Sequence, residues 1–433
     1  MKKPHIPPSL KDLERLFSKK NLANAIKLAI QTESEGKYRH WDTLRHLSPP
    51  NGLSHEEWWL ATKFHRLSLR KSIPLLDTGG EPFYYTIPES VTAQLHQIDR
   101  GVGRDSDVPY AIENPHTRKT YLIRSLVEEA ITSSQLEGAA TTRKVAKEML
   151  RSGRKPRNKS EQMIFNNFSA MQKLREWKDF PLTIDLIFDI HRTVTKETLE
   201  QTSYIGAFRK ESDHVVIEDI ATQDVLHEPP KADELEKRME ALCSFVNEKT
   251  PCHFIHPIVR AMIAHFWLAY DHPFVDGNGR TARTLFYYMM LRAGYWLFEY
   301  ISISEIILKG PAKYGKAFLY TETDDNDLTY FILHQSEVIQ KAYNILETLI
   351  IEQEEKLYTL DECEMGEWNF RQQALLLHAL ANKGMTYTIE GHRQSHDVAY
   401  ETARNDLLEL YEANLFSMQK KGKAFVFKFI GHK

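Results

Sequence analysis

The feature that most constrains the fold of this chain is a pair of predicted apolar helices joined by a short turn near residue 275. The stretch 256–270 is predicted to be an apolar helix, and it ends at Asp271-His272-Pro273, where proline interrupts helical hydrogen bonding. A Gly-Asn-Gly tripeptide at 277–279 follows, and a second apolar helix is predicted from about Arg280. The remaining pattern between 119 and 350 is also mostly helical. We therefore predict a mainly α fold built around this turn.

A Gly-Asn-Gly turn that leads into a helix is typical of an anion-binding nest. Its backbone N–H groups can point outward together, and the helix N-terminus adds partial positive charge. Arg280 and Arg283 lie one turn apart and supply two guanidinium groups for further phosphate oxygens. Asp276 can hold Mg²⁺ against the same phosphates, and His272 can act as a neutral base near pH 7. These residue types predict attack by a hydroxyl on a nucleotide phosphate.

Each part alone also has a simpler explanation. A Gly-Asn-Gly tripeptide is usually just a turn, and a single histidine is usually structural. Arginines three residues apart usually lie on a solvent-exposed helix face. The functional interpretation is favoured because all the parts fall, in a workable order, within 272–283.

The segment 272–283, HPFVDGNGRTAR, matches every defined position of the Fic family motif, H-x-F-x-(D/E)-G-N-G-R-x-x-R. The chain resembles that family over about residues 38–350. Upstream, SSQLEG at 133–138 matches the family's inhibitory motif, (S/T)-x-x-x-E-(G/N), on a helix predicted over about 119–138. The inhibitory residues implied by this match are Ser133, Glu137 and Gly138. An ordinary helix ending at Gly138 is compatible with the same letters.

The resemblance implies a role for each residue of the motif. His272 would deprotonate a target hydroxyl, Phe274 would anchor the loop, and Asp276 would bind Mg²⁺ between the α and β phosphates of ATP. The nucleotide phosphates would be bound by Gly277, Asn278 and Gly279 at the α position, Arg280 at the β position and Arg283 at the γ position. The implied activity is AMP transfer from ATP to a Ser, Thr or Tyr hydroxyl of an unidentified protein. Glu137 would pair with Arg283 and restrain the reaction.

A short β-hairpin is predicted over 204–219, where apolar residues alternate with polar ones. The resemblance implies that this hairpin, followed by His227-Glu228-Pro229-Pro230, is a flap that docks the target. Its main chain would then pair with an extended segment of the target protein. The flap residues expected to do so are Val215, Val216, Ile217 and Glu218.

The chain is expected to have four parts: a helical and aromatic-rich region over 1–118, the Fic domain over 119–352, an acidic linker over 353–367, and a C-terminal domain over 368–433. The last part is predicted to form three helices and a hairpin, which is a winged helix-turn-helix plan. Cations that could contact DNA phosphates are Arg393, Arg404, Lys420, Lys421 and Lys423. The predicted recognition helix, however, carries Glu401, Asp406, Glu409 and Glu412. DNA binding is therefore disfavoured, and a structural, oligomerisation or target-docking role fits at least as well.

Charge and hydropathy exclude several classes of protein. The formal net charge is −3, from 56 basic and 59 acidic residues, which argues against a chain built mainly to coat nucleic acid or anionic lipid. No apolar leader or membrane-spanning stretch is predicted, so a cytoplasmic protein is expected.

Two alternatives for the function stay open: a DNA-binding regulator whose Fic domain senses nucleotide, and a transferase with another nucleotide or phosphate-containing donor. The oligomeric state, including a homodimer, also stays open.

Overall fold

The computed structural model describes residues 2–13, 27, 38–102, 115–219, 222–358, 368–381, 384–396, 398–421 and 424–431. The helices in chain order are α1 (Leu10–Leu13), α2 (Trp41–Leu44), α3 (His55–Leu67), α4 (Glu89–Val102), α5 (Pro115–Leu136), α6 (Arg143–Ser152), α7 (Lys159–Trp177), α8 (Ile184–Thr195), α9 (Leu235–Val246), α10 (Pro257–Asp271), α11 (Asn278–Arg292), α12 (Ile303–Leu308), α13 (Pro311–Thr323), α14 (Thr329–Tyr358), α15 (Phe370–Ala381), α16 (Ile389–His396) and α17 (Tyr400–Glu412). The strands are β1 (Lys71–Leu76), β2 (Pro82–Tyr85), β3 (Ile217–Glu218), β4 (Val225–His227), β5 (Thr386–Thr388), β6 (Phe416–Lys421) and β7 (Ala424–Phe429). The mainly helical fold predicted from the sequence is confirmed.

The chain divides into two compact units. The first comprises Met1–Asp105 and Arg124–Asn344, and the second comprises Ser106–Ile123 and Ile345–Lys433. In the first unit, α10 and α11 pack against each other, α7 and α8 pack against α11, and α9 packs against α10. The side chains of α10 are buried on nearly every face, which explains why its sequence is apolar all round.

The ends of α10 and α11 follow from their sequences. His256 caps α10 by accepting a hydrogen bond from the N–H of Ile258, and Pro257 occupies the first turn, where no N–H is required. His272 ends the helix in the left-handed region. Gly277, with φ at +88°, precedes the first residue of α11. The two helices are thus joined by a short loop that carries the whole motif.

The segment 204–219 does not form the predicted hairpin. Only Ile217 and Glu218 are in a strand, and they pair with Val225–His227 further along the chain. The earlier residues are held by tertiary contacts instead: Phe208 packs against Phe188, and the N–H of Arg209 donates to the carbonyl oxygen of Pro273. The apolar residues of this segment are half-buried or exposed, so the alternation in the sequence does not correspond to a ladder of strand pairs within it.

The N-terminal aromatic residues pack into the first unit, as expected. Trp58 and Trp59 of α3 are buried, and β1 pairs antiparallel with β2. On the same helix, the Lys63 ammonium lies 2.6 Å from the buried carboxylate of Asp324. The start of the helical region expected over 1–118 falls mostly outside the described residues: between residues 1 and 37, only α1 and Lys27 are described as helical.

The second unit contains its own apolar core. Its C-terminal part consists of α15, α16 and α17 and a three-stranded antiparallel sheet in the order β5-β7-β6. Leu407, Leu410 and Phe427 are fully buried in this core. Strand β5 was not predicted, because three residues between two helices leave little pattern to detect. The predicted hairpin is present as β6 and β7, although its turn at 422–423 lies outside the described residues.

Helix α14 extends to Tyr358 and so enters the acidic linker expected over 353–367. Residues 359–367 of the expected acidic linker lie outside the described part of the chain. Among the helices that are described, none is both long enough and apolar enough to cross a lipid bilayer.

Candidate active site

The loop between α10 and α11 is closed by the side chain of Asn278. Its Oδ1 accepts a hydrogen bond from the N–H of Phe274 (2.9 Å), and its Nδ2 donates one to the carbonyl oxygen of Phe274 (2.7 Å). Asn278 is buried, so both ends of its amide need such partners. The side chain therefore shapes the loop, and the backbone N–H of Asn278 is the group left to meet an anion at the helix N-terminus.

His191, on α8, supports the same loop. Its Nδ1 accepts a hydrogen bond from the N–H of Gly206 (3.0 Å), and its Nε2 donates to the carbonyl oxygen of Asp276 (2.9 Å). Its ring stacks on the fully buried ring of Phe274, with the centroids 3.8 Å apart. Burial lowers the pKa of His191 to about 4, so the ring is neutral near pH 7 and can make both hydrogen bonds.

His272 follows the last residue of α10. Its backbone adopts φ 44° and ψ 57°, a region that a residue other than glycine rarely occupies. The Nδ1 atom lies 3.2 Å from the carbonyl oxygen of Ala269, so Nδ1 carries the proton and Nε2 keeps a free lone pair. Burial lowers the pKa of His272 to about 4. The imidazole is therefore neutral near pH 7, which is the form that a general base requires.

Cationic side chains bind the carbonyl groups around His272. Arg209 donates from Nε to the carbonyl oxygen of His272 (2.8 Å) and from its guanidinium to that of Pro230. His227 donates from Nε2 to the carbonyl oxygen of Tyr270 and from Nδ1 to the Glu322 carboxylate, both at 2.7 Å. Positive charge at the C-terminus of a helix is favourable. These contacts fix the backbone from which the His272 side chain extends.

The protonation of His227 differs from that of His272. Burial alone would lower the pKa of His227, but the carboxylate of Glu322 more than offsets burial and raises it. Both ring nitrogens of His227 donate hydrogen bonds, which only the imidazolium can do. The hydrogen bonds of His227 thus fit the charged form, whereas His191 and His272 are neutral near pH 7.

A carboxylate lies against the first turn of α11. A Cβ atom built on Gly279 would lie only 2.2 Å from Oε1 of Glu137. A side chain at position 279 would therefore require the Glu137 carboxylate to move. The N–H groups of a first helical turn have no partner inside the helix. Glu137 thus places its negative charge at the anion-binding end of α11.

Arg283 connects this carboxylate to α5. Its guanidinium donates to Oε1 of Glu137 (2.8 Å), to Oγ of Ser133 (2.9 Å) and to the carbonyl oxygen of Ser133 (2.9 Å). The side chain of Arg283 is only 2% exposed. A buried guanidinium with three such contacts is held in one orientation. Gly138, with φ at +88°, lets the chain turn away directly after Glu137.

A second glutamate fixes α5 to the rest of the unit. The buried carboxylate of Glu129 accepts hydrogen bonds from the hydroxyl of Tyr287 (2.9 Å), the hydroxyl of Ser302 (2.8 Å) and the N–H of Ser304 (3.0 Å). One turn later, the hydroxyl of Ser134 accepts from the amide of Asn167 (2.9 Å). The end of α5 that carries Glu137 is therefore tied down by polar contacts on more than one side.

Arg280 points into the protein, where it is fully buried. Its guanidinium donates to the carbonyl oxygen of Val194 (2.7 Å) and lies 3.3 Å from Oδ1 of Asp276. The Nε atom of Arg280 has no hydrogen-bond partner within the described part of the chain. The Asp276 side chain is 41% exposed, and its Oδ1 also accepts from the N–H of Gly277. Arg280 thus holds one oxygen of Asp276, and the described hydrogen bonds leave Oδ2 open.

A cavity of about 260 Å³ opens beside these groups. One wall carries His272, Gly279, Arg283 and Glu137, and another carries His227 and Glu322. Further walls are formed by α13 and by Ile217 of β3 and Leu226 of β4. The base, the helix N-terminus and the Arg283 guanidinium therefore share one concave space, of the kind in which small substrates bind.

Of the four predicted flap residues, only Ile217 lines this cavity. Val216 is 39% exposed, and Glu218 is exposed as well. Strand β3 pairs with β4 alone among the described strands, so its other edge keeps open main-chain groups.

Sequence reasoning missed three residues that build the site: His191, Arg209 and His227. Each acts on a backbone carbonyl or N–H group distant in the chain, so no local spacing reveals it. The available signals are weak: a histidine within an apolar helix, and an arginine in a segment that otherwise alternates.

Comparison with known proteins agrees with this geometry. Residues 181–290 match the model of the Fic/DOC family. Over this segment the chain is similar to the Fic/DOC family, in agreement with the resemblance drawn from the motif.

Several relatives carry the name Protein adenylyltransferase Fic, and two of them illustrate the similarity. That of the sea anemone Nematostella vectensis is 37% identical over 135 residues, which cover 31% of this chain and 28% of the relative. That of Drosophila willistoni is 32% identical over 133 residues, which cover 31% of this chain and 23% of the relative. The matches thus span about a quarter of the length of these relatives.

Two solved structures share the fold. A Fic family protein from Desulfovibrio desulfuricans G20 is 18% identical, with 81% of this chain and 98% of that chain covered and a TM-score of 0.53. A fragment of Fic-1 from C. elegans is 19% identical, with 78% and 92% covered and a TM-score of 0.50. At these identities the likeness concerns the fold alone.

Proposed function

We propose that the chain is a protein adenylyltransferase, which transfers AMP from ATP to a Ser, Thr or Tyr hydroxyl of a target protein. The observation that carries the proposal is the shared cavity of neutral His272, the Gly279 end of α11 and the Arg283 guanidinium. The relatives named Protein adenylyltransferase Fic, matched at 37% and 32% identity, support the same activity.

The chemistry follows from what each group can do. Nε2 of His272 accepts the proton of the target hydroxyl, because Nδ1 is committed to the carbonyl oxygen of Ala269. The hydroxyl oxygen then attacks the α-phosphorus of ATP, and the bond between that phosphorus and the α,β-bridging oxygen breaks, so that pyrophosphate leaves with this oxygen. N–H groups at the start of α11 stabilise the phosphate oxygens. Arg283 binds the γ-phosphate once its guanidinium is released from Glu137.

Mg²⁺ fits the donors present at Asp276. The described residues contain no cluster of three or more His, Cys, Asp or Glu side chains that would hold a metal ion alone. A single exposed carboxylate is nevertheless a suitable partial site for Mg²⁺, which binds through one or two carboxylates plus substrate phosphates. Asp276 would hold the ion through Oδ2. The ion would neutralise phosphate charge in the reaction.

The resting enzyme is inhibited by its own Glu137 in this proposal. The carboxylate lies against the turn of α11 that binds phosphate, and it also engages Arg283 at 2.8 Å. The Glu137 carboxylate and a phosphate of ATP are both negative and cannot share the N–H groups of α11 and Arg283, so ATP would bind with its phosphates displaced. A misplacement of about 1 Å can lower a rate by ~10²-fold. Inhibition therefore needs no separate domain.

Two further parts of the chain are proposed to bind the target or another protein. The open edge of β3 is suited to pair with an extended segment of the target protein through main-chain hydrogen bonds. The unit that contains α15, α16 and α17 with β6 and β7 has the element order of a winged helix-turn-helix domain. We assign to it a docking or oligomerisation role rather than DNA recognition.

The test is transfer of label from nucleotide to protein. The Glu137→Gly variant is incubated with α-labelled ATP, Mg²⁺ and a cell lysate, and labelled bands are counted. The matched control is the Glu137→Gly/His272→Ala variant, which should give none. Parallel reactions with α-labelled GTP, CTP and UTP identify the donor. Absence of label with every nucleotide would overturn the proposal, and label from a different nucleotide alone would replace ATP as the substrate.

A further inference from the structure

Helix α13 separates two cavities. Tyr314, Phe318 and Glu322 line the catalytic cavity, whereas Ala312, Lys313 and Lys316 line a second cavity of about 540 Å³. The second cavity also takes residues from the N-terminal segment and from the end of α2. Both cavities lie within the first unit, so one 13-residue helix forms a wall of each.

The second cavity is rich in positive charge. Its basic lining residues are Lys2, Lys3, Arg45, Lys313 and Lys316, joined by His5 and His46. Asp42 is its single acidic lining residue. Five formal positive charges against one negative charge contrast with the chain as a whole, whose net charge is −3. Unlike charges scattered over a surface, these converge on one concavity from three separate segments.

The single carboxylate does not neutralise this cluster. Asp42 lies 3.7 Å from the ammonium of Lys316 and 3.9 Å from Nε of Arg45, and it accepts a hydrogen bond from the N–H of His5 (3.0 Å). Nε of Arg45 is buried, yet it makes no hydrogen bond within the described part of the chain. An N–H group of this kind is costly to leave unpaired, so the binding of an additional acceptor in the cavity would be favourable.

The remaining cations have even less compensation. Among the described residues, Lys2, Lys3 and Lys313 have no ion pair with a carboxylate. Grouping cations in a concave site without partners is unfavourable in the absence of an anion and favourable in its presence. Phosphate groups match such a site, because lysine binds them as a point charge and arginine through directed N–H groups.

We propose that this cavity is a second anion site, which binds a small molecule carrying two or more phosphate groups. A small molecule is favoured over a polymer because the volume lies in the range of about 300–1,000 Å³ typical of ligand pockets. Binding here would act on the wall that α13 shares with the catalytic cavity. The site is separate from the Fic motif and does not rest on the proposed transferase activity.

The test measures binding of inorganic triphosphate to the full chain by calorimetry at about physiological salt, where weak surface contacts are screened. The test variant is Lys3→Glu/Lys313→Glu. The matched control is Lys144→Glu/Lys237→Glu, which makes the same change of net charge at exposed lysines outside both cavities. The Arg283→Ala variant removes triphosphate binding at the catalytic cavity. Thermal melting of each variant establishes that it is folded.

In the Arg283→Ala background, triphosphate should still bind, and Lys3→Glu/Lys313→Glu should weaken that binding at least tenfold while the control changes it less than threefold. ATP in place of triphosphate distinguishes a nucleotide from an inorganic polyphosphate as the ligand. Equal binding by the test variant and the control would overturn the site. Loss of all binding in Arg283→Ala would also overturn it, as would displacement of triphosphate by DNA or an acidic peptide at lower concentration than by ATP.

Discussion

Arg209 donates a hydrogen bond from Nε to the carbonyl oxygen of His272, with the two atoms 2.8 Å apart. Its own N–H donates to the carbonyl oxygen of the next residue, Pro273, at 2.9 Å. One arginine thus holds two consecutive peptide groups of the loop between α10 and α11. The left-handed backbone of His272 is strained, and such conformations persist only where surrounding contacts enforce them. Arg209 supplies much of that enforcement.

Replacement of Arg209 should therefore impair catalysis without removing the base. In the Glu137→Gly background, Arg209→Ala should lower kcat by roughly 10- to 100-fold and change KM for ATP little, because the base shifts while the nest remains. Arg209→Lys keeps the positive charge but lacks the planar guanidinium, so it should recover part of the lost kcat. Steady-state labelling at varied ATP measures both constants. A change in KM alone would assign Arg209 to nucleotide binding instead.

His272→Ala should abolish transfer and leave ATP binding intact. Removal of a general base typically costs about 10²–10⁴-fold in rate. The nest and Arg283 do not depend on the imidazole, so the dissociation constant for ATP should change less than threefold. The comparison uses initial labelling rates of Glu137→Gly with and without His272→Ala, and calorimetry for ATP. Equal rates would remove His272 from the mechanism.

Glu137→Gly should raise labelling of the chain itself and of its targets by at least tenfold. Glu137→Gln, which keeps the size but not the charge, should activate partly, and Arg283→Ala in the Gly background should lower the rate again. Ser133→Ala should activate weakly, because the carbonyl oxygen of Ser133 still binds Arg283. Gln135→Gly controls for a loosened helix end and should leave the protein inhibited. The initial rate at saturating ATP and Mg²⁺ decides between these outcomes.

His265 should make the folded protein sensitive to acid. It is fully buried in α10, and burial lowers its pKa to about 3. In the unfolded chain this histidine binds a proton near pH 6.5, whereas in the folded chain it does so only near pH 3. The stability that neutral His265 contributes is therefore complete above pH 6.5 and is lost as the pH falls toward 3. Between pH 7 and 4.5 the free energy of unfolding should fall by roughly 2–3 kcal/mol from this group. Denaturant melts of wild type and His265→Gln, which should show the smaller dependence on pH, provide the measurement.

Residues 368–433 should not bind a specific DNA sequence. Of the four acidic residues on α17, Asp406 does not face solvent: it is buried, and its carboxylate accepts hydrogen bonds from Arg371 at 2.6 and 2.8 Å. On the cationic side, Arg393 and Arg404 form ion pairs with Glu390 and Glu401. Phosphate contacts would have to break these pairs. Competition of random duplexes at physiological salt tests this, and tight selection of one sequence would reverse the assignment.

Residues 272–283 are consecutive in the chain, so the sequence alone could indicate that they form one loop between two helices, and the helices around them have strong apolar periodicity. The chemical roles of these residues stay predictions. The pairing of Glu137 with Arg283 also agrees with expectation, because a short motif on α5 indicated it. By contrast, Arg280 points inward because it binds the carbonyl oxygen of Val194, and Asn278 closes the loop because it binds the backbone of Phe274. The positions of these partners are defined only in the folded chain.

The contacts of Glu129 limit how the Glu137 carboxylate can withdraw from Gly279. Detaching α5 would leave a buried carboxylate and its hydroxyl and N–H donors unpaired, at a cost of about 1–3 kcal/mol for each group. Rotation of the Glu137 side chain, or fraying of the turn after Ser134, breaks none of these hydrogen bonds. Motions of this kind occur within picoseconds to microseconds. The inhibited and released forms would therefore share the same radius of gyration and most of their amide exchange pattern, and they would differ mainly in the NMR signals of a few side chains.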